Sequence, residues 1–337
     1  MKQTAIDIHT HVEFAGTFAI LKKRYSEEEI FDRFIVSATG RHSAELNRGI
    51  MAGIRDALRD PQKKIRDMEE KGLAFNVLSS TPLAFLYEVE DDLAVELARF
   101  HNDQLSELVK KYPDRFAAMA TLPLQVPDEA LKELTRATKT LGLRGVEIGS
   151  HVGKRELGDE VFWPIYKALE DLGMPIFIHP HHVAGLDRLL DFYLNNLIGN
   201  PLDTTIAAAK LIFSGVLEKY PGLKIILAHG GGQFPFIIGR WEHGYRVRPE
   251  CKEKVHQSPM AFFKNFYFDT ITHNPDALRY LVSVAGSDHV LLGTDYPYDM
   301  EDENPVQTVS QLTRIKAADR RKIMRENAIA LFGLKAP

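Results

Sequence analysis

The sequence predicts an α/β fold, a (β/α)8 TIM barrel with a long insertion after its first strand. Three observations lead there. Eight short, apolar, β-rich runs alternate with segments of helical spacing, as buried parallel strands alternate with crossover helices. Metal-capable side chains end three of those runs and directly follow a fourth, where barrel enzymes keep their chemistry. The length of 337 residues suits one barrel with insertions, and so a single domain over 1–337.

The eight runs are residues 4–8, 73–79, 116–122, 145–149, 175–179, 224–229, 266–269 and 290–295. Between the second and third runs the helical pattern is plain: over 92–111, Leu93, Leu97, Phe100, Leu105 and Leu108 step along one face, with Glu96, Asp103, Glu107 and Lys110 opposite. An open doubly wound sheet would use the same alternation, but the polar strand ends favour the closed form. Residues 12–61 are too long for a plain connection and rich in aromatics (Phe14, Phe18, Tyr25, Phe31, Phe34), so they are expected to form a lid or wall over the barrel mouth.

A net charge of -4 argues against nucleic acid, which needs a surplus of cations on one face. Cys251 is the single cysteine, so any zinc must be held by His and carboxylates. No stretch is apolar enough for a membrane span or a signal peptide, and a cytoplasmic location is expected.

The first run leads into His9-Thr10-His11, and residues i and i+2 of a strand share a face, so both imidazoles can enter the barrel mouth. With 13 histidines, a His-x-His arises easily by chance. The weight comes from the other strand ends: His179 on the fifth, His229 before Gly230-Gly231-Gly232 on the sixth, and Asp295 on the eighth. Three imidazoles and a carboxylate suit one divalent ion, Zn²⁺ first and Mn²⁺, Fe²⁺ or Co²⁺ next. His229 is the candidate proton carrier beside it. The bland alternatives are a packed histidine at each strand end, an N-cap role for Asp295, and a tight turn for the glycines. His181 and His182 are expected to line the pocket; His101, His243, His256, His273 and His289 read as surface or structural, and His151 fits either reading.

The stretches Ile6-Asp7-Ile8-His9-Thr10-His11, Gly145-Val146-Glu147-Ile148-Gly149, Ile178-His179-Pro180, Ala228-His229-Gly230-Gly231-Gly232 and Gly293-Thr294-Asp295-Tyr296-Pro297 together resemble the amidohydrolase superfamily. The resemblance spans nearly the whole chain. It points to the decarboxylase branch typified by 2-amino-3-carboxymuconate-6-semialdehyde decarboxylase. It implies one divalent ion, usually zinc, on His9, His11, His179 and Asp295, with His229 as the acid/base. The lysine that bridges two metals in other members is missing from the fourth run, so one ion is expected. The implied reaction is loss of CO2 from an unsaturated or aromatic carboxylate.

For substrate binding the resemblance implies Arg240, reaching the neighbouring active site of a homodimer. A second family arginine falls in register with Ala52, leaving Arg48 and Arg55 nearby, and His181 stands where the family has tryptophan. A lactonase-type hydrolase or an enol-acid hydratase is the alternative on the same scaffold, and a non-catalytic protein that kept the barrel is a third reading.

Overall fold

The computed structural model describes residues 4–335. Eight parallel strands follow one another around a barrel: β1 (Ala5–Val12), β2 (Leu73–Ser80), β3 (Phe116–Ala120), β4 (Gly145–Gly149), β5 (Ile176–His179), β6 (Ile225–Leu227), β7 (Phe266–Asp269) and β8 (Val290–Leu291). Each pairs in parallel with the next. The ring closes where Ile8 N donates to Leu292 O at 3.0 Å and His11 N to Tyr296 O at 2.9 Å. The fold expected from the sequence is the one observed.

All eight residues of β1 are buried, because a barrel strand has side-chain layers inside and helices outside. Its inward and outward residues belong to two separate apolar clusters: Ile6 and Ile8 pack with Val77, Phe177 and Ile226, while Ala5 and Val12 join the larger layer beneath the helices. Three strand ends fall short of the expected runs, β3 stopping at Ala120 and two others nearer the site. Regular pairing of β8 stops at Leu291, and Asp295 adopts a left-handed backbone with φ 63°. β6 stops at Leu227, and residues 229–232 then turn with four consecutive positive φ angles. Glycine is required there: a Cβ on Gly232 would lie 2.1 Å from Pro201 O, and one on Gly231 2.5 Å from the Phe268 ring.

The segment between β1 and β2 is helical, with α1 (Gly16–Leu21), a helical stretch over 27–39 that is π-helical in its middle, α2 (Arg41–Arg59) and α3 (Pro61–Glu70). Asp60 starts α3 by accepting from Gln62 N at 2.8 Å, with Pro61 in the first turn where its missing N–H costs nothing. The helix after β2, α4 (Asp91–Lys111), carries Asp91 and Asp92 in its first turn and Lys110 and Lys111 in its last, the polarity its dipole favours. Its buried face (Leu93, Ala94, Leu97) packs on Leu21, Ile30 and Phe34 in a third apolar cluster. Arg24 to Asp92, Tyr25 to Glu90 and Lys23 to Glu96 (2.7 Å) add polar ties across the same junction.

Candidate metal centre and active site

His9 and His11 sit two apart on β1, His179 ends β5, and Asp295 follows β8; all four are buried at one end of the barrel. Each of their candidate ligand atoms lies within 4.8 Å of the other three. The imidazoles are oriented from behind. His9 Nδ1 donates to Asp269 Oδ2 at 2.8 Å, His11 Nδ1 faces Ser80 O at 3.2 Å, and His179 Nδ1 faces Pro180 O at 2.9 Å. With each Nδ1 carrying the proton, every Nε2 presents a lone pair to the centre.

Those lone pairs then face one another. His9 Nε2 is 3.2 Å from His11 Nε2, and Asp295 Oδ1 is 3.3 and 3.2 Å from the same two atoms. With the rings neutral, acceptors so close repel unless a cation stands among them, either a proton on His9 Nε2 or a metal ion, and ligands about 2.1 Å from a tetrahedral ion stand ~3.4 Å apart. His179 Nε2 and Asp295 Oδ1 are buried with no hydrogen-bond donor, so a cation also satisfies two otherwise orphaned atoms. The residues therefore fit a divalent ion. Asp295 takes no N-cap role, since the next helix begins at Pro305.

The electrostatics agree. Burial alone would raise the Asp295 carboxyl, but His9, His11 and His229 override it and hold the group well below its ordinary range. Burial would likewise depress His9, yet Asp295 and Asp269 push it up to about 10, while burial keeps His11 and His179 low and neutral. Without a metal, the cluster thus keeps a positive charge on His9.

His229 lies against this cluster, its Nε2 3.4 Å from Asp295 Oδ2. The left-handed turn that carries it (φ 55°) points two successive amides at Asp269, whose oxygens accept from His229 N at 2.8 Å and Gly230 N at 2.7 Å. Asp269 therefore holds both a candidate ligand and the candidate acid/base. Glu147 on β4 is a second buried carboxyl, 4.0 Å from His11 Nδ1, which burial pushes up to about 8. Neither was singled out from the sequence. A polar residue ending the seventh run, and a carboxylate inside an apolar one, were the available signals.

A cavity of about 440 Å³ opens over His179 and Asp295. Arg48, Arg55, His181 and His182 line it, as does His101, which is buried and bridges Thr17 Oγ1 (2.8 Å) to Ser80 Oγ (3.0 Å). His181 stacks on His151 at 4.6 Å between ring centres and is held neutral by burial, at about 3. The Arg48 guanidinium carbon lies over the Phe31 ring, 3.6 Å from its centre. Arg240 is exposed on α5 (Phe234–Val247) and does not line this cavity.

The amidohydrolase family model matches residues 6–334. The chain is 36% identical to 2-amino-3-carboxymuconate-6-semialdehyde decarboxylase of Dictyostelium discoideum, across 98% of this chain and 91% of that one. Among solved structures, a dihydroxybenzoic acid decarboxylase from Polaromonas sp. JS666, with bound manganese and the inhibitor 2-nitroresorcinol, superposes with a TM-score of 0.83 at 27% identity, covering 98% of this chain and 97% of that one. The fold is also that of 5-carboxyvanillate decarboxylase from Sphingomonas paucimobilis, with a TM-score of 0.86 at 24% identity over 99% of this chain and 100% of that one. The chain belongs to the amidohydrolase family, among the metal-dependent decarboxylases related to 2-amino-3-carboxymuconate-6-semialdehyde decarboxylase.

Proposed function

We propose that this chain removes CO2, without oxidation, from an aromatic or unsaturated carboxylic acid bearing a neighbouring hydroxyl, amino or carbonyl group. The observation that carries the reading is the convergence of three imidazole Nε2 atoms and a carboxylate on one point, with His229 set against that carboxylate. We assign His9, His11, His179 and Asp295 as ligands of one divalent ion, Zn²⁺ by donor set and Mn²⁺ by likeness to the Polaromonas structure. When bound, the ion supplies Lewis acidity that polarises the substrate carboxylate and its ortho oxygen.

The proton consumed by the reaction is delivered from His229 Nε2, which lies 3.4 Å from Asp295 Oδ2. It passes to the carbon that bears the carboxylate. The bond from that carbon to the carboxyl carbon then breaks, its electron pair restores the π system, and CO2 leaves. One carboxylate and one proton become one C–H bond and one CO2. Asp269 keeps His229 in place by accepting from its backbone N–H.

Arg48 and Arg55 line the cavity with no ion-pair partner among the described residues, so they are free to bind anionic groups of the substrate. His181 walls the same space. Arg240 acts from a second copy of the chain: Phe236, one helical turn before it on α5, is 78% exposed, an apolar surface suited to a homodimer contact. Residues 12–61 serve as the lid.

Assay of metal-loaded protein on hydroxybenzoates, aminocarboxymuconate semialdehyde and lactones tests the reading. CO2 release that disappears on chelation and returns with the metal is expected. Hydrolysis or hydration without CO2 would replace the decarboxylase with a hydrolase or hydratase on the same centre.

A further inference from the structure

We infer that the cavity selects substrates carrying an apolar substituent on the side of the ring opposite the reacting carboxylate, held by the helical segment between β1 and β2. The inference takes the orientation of the head group from the decarboxylase reading, and its own test does not require turnover.

The cavity is one continuous space with two unlike ends. At the barrel, His179 and Asp295 mark the metal end, where an ion held with His9 and His11 would take a carboxylate and its ortho oxygens. Away from it, the walls include Phe18, Phe31, Phe34, Met51, Leu83 and Val183, interspersed with polar side chains and contributed by α1, the 27–39 stretch, α2 and the loops after β2 and β5. A volume of about 440 Å³ lies in the range that encloses drug-sized ligands, roughly 300–1,000 Å³, and exceeds the need of a single-ring acid.

With the carboxylate and its ortho oxygens at the metal end, the para position of the ring points at these walls. The walls are preformed: the cluster of Leu21, Ile30 and Phe34 on Leu93 and Leu97, with the ion pairs of Lys23 and Arg24, fixes them to α4. Along α2, Ala44, Arg48, Met51 and Arg55 recur every three or four residues and so share the cavity face, placing two unpaired guanidiniums around an apolar patch. At the rim Ile50 and Leu83 keep 38% and 37% of their surface exposed while lining the cavity, surface that a substituent would cover. A carboxylate with an apolar tail satisfies both features; a small, fully polar acid leaves the walls without a partner.

The probes are 2,6-dihydroxybenzoate and its 4-methyl, 4-propyl and 4-pentyl derivatives. Calorimetry on metal-loaded His229→Ala protein gives Kd without turnover, and CO2 release from the unsubstituted sequence gives kcat/KM. Binding should tighten about fourfold per methylene until the cavity is filled. A flat or weakening Kd along the series overturns the inference, whatever the turnover. Tightening without CO2 release sustains the inference and removes these hydroxybenzoates as substrates, leaving the decarboxylase reading to the aminocarboxymuconate assay. Ala38→Asp, which puts a charge into the wall, should flatten the chain-length dependence, with binding of the parent acid reporting that the variant is folded. An undiminished slope in that folded variant would place the substituent elsewhere and overturn the inference.

Discussion

Replacing Asp269 with Asn should weaken metal binding although Asp269 touches no metal. Its two oxygens accept four hydrogen bonds: Oδ2 from His9 Nδ1 (2.8 Å) and His229 N (2.8 Å), Oδ1 from Gly230 N (2.7 Å) and Ile271 N (3.1 Å). An amide has only one acceptor oxygen. In one orientation its NH2 opposes His9 and the His229 backbone; in the other it opposes Gly230 and Ile271. Either way two donors to a charged acceptor are lost, each worth about 1.5–3 kcal/mol in a buried site. The first orientation frees the His9 ring to flip and withdraws its Nε2; the second disturbs the turn carrying His229. Removing such a supporting partner costs about 10- to 100-fold in metal affinity or activity, or ~1.4–2.8 kcal/mol. Competition with a chelator of known affinity reads the loss, with circular dichroism as the folding control. A folded Asp269→Asn protein that binds metal and releases CO2 as the unsubstituted chain does would refute the assignment of Asp269 as the group that orients this centre.

Metal binding should also release protons in a defined number. In the metal-free site His9 is pushed up to about 10 and is protonated at pH 7.5, whereas His11, His179 and Asp295 are already deprotonated. Mn²⁺ binding measured in buffers of different ionisation heat should therefore release about one proton, and affinity should climb tenfold per pH unit between about pH 7 and 9; no proton release would contradict the charge assignment. The sign for stability runs the other way. His9 gains its proton in the folded state, so its contribution to the metal-free protein is complete below about pH 6.5 and is lost as pH rises through about 10. For Arg240, mixing Arg240→Ala chains with His229→Ala chains should restore part of the activity each lacks alone, because a mixed dimer contains one intact site; an absence of rescue after verified subunit exchange counts against a shared site.

The parts of the centre that follow from strand period were legible in the sequence. His9 and His11 share a face because a strand alternates every two residues, and His179 and Asp295 end runs that only a parallel α/β fold would space so. The glycine run after His229 read equally as a turn, and it is one; what the sequence lacked was that the turn aims its amides at Asp269, 40 residues later. Asp269 itself ends a predicted strand like the others, but a lone carboxylate carries no spacing signal. Glu147 was read only as the absence of a lysine, and its burial beside His11 needed coordinates. The strand limits near the mouth were overextended, because the left-handed backbone at Asp295 and over 229–232 breaks the ladder where apolar composition continues. The segment over 12–61 was identifiable by length and aromatics, yet which of its side chains line a cavity depends on packing against α4, far away in sequence.

The most direct test of the central claim pairs metal content with CO2 release in the His229→Ala protein. The account predicts a folded chain that retains about one divalent ion and has lost turnover on every substrate the unsubstituted protein decarboxylates, because ligation and proton delivery reside in different side chains. Retained CO2 release at one ion per chain would remove His229 from the chemistry, and CO2 release from a fully metal-stripped protein would contradict the metal centre as the seat of the reaction.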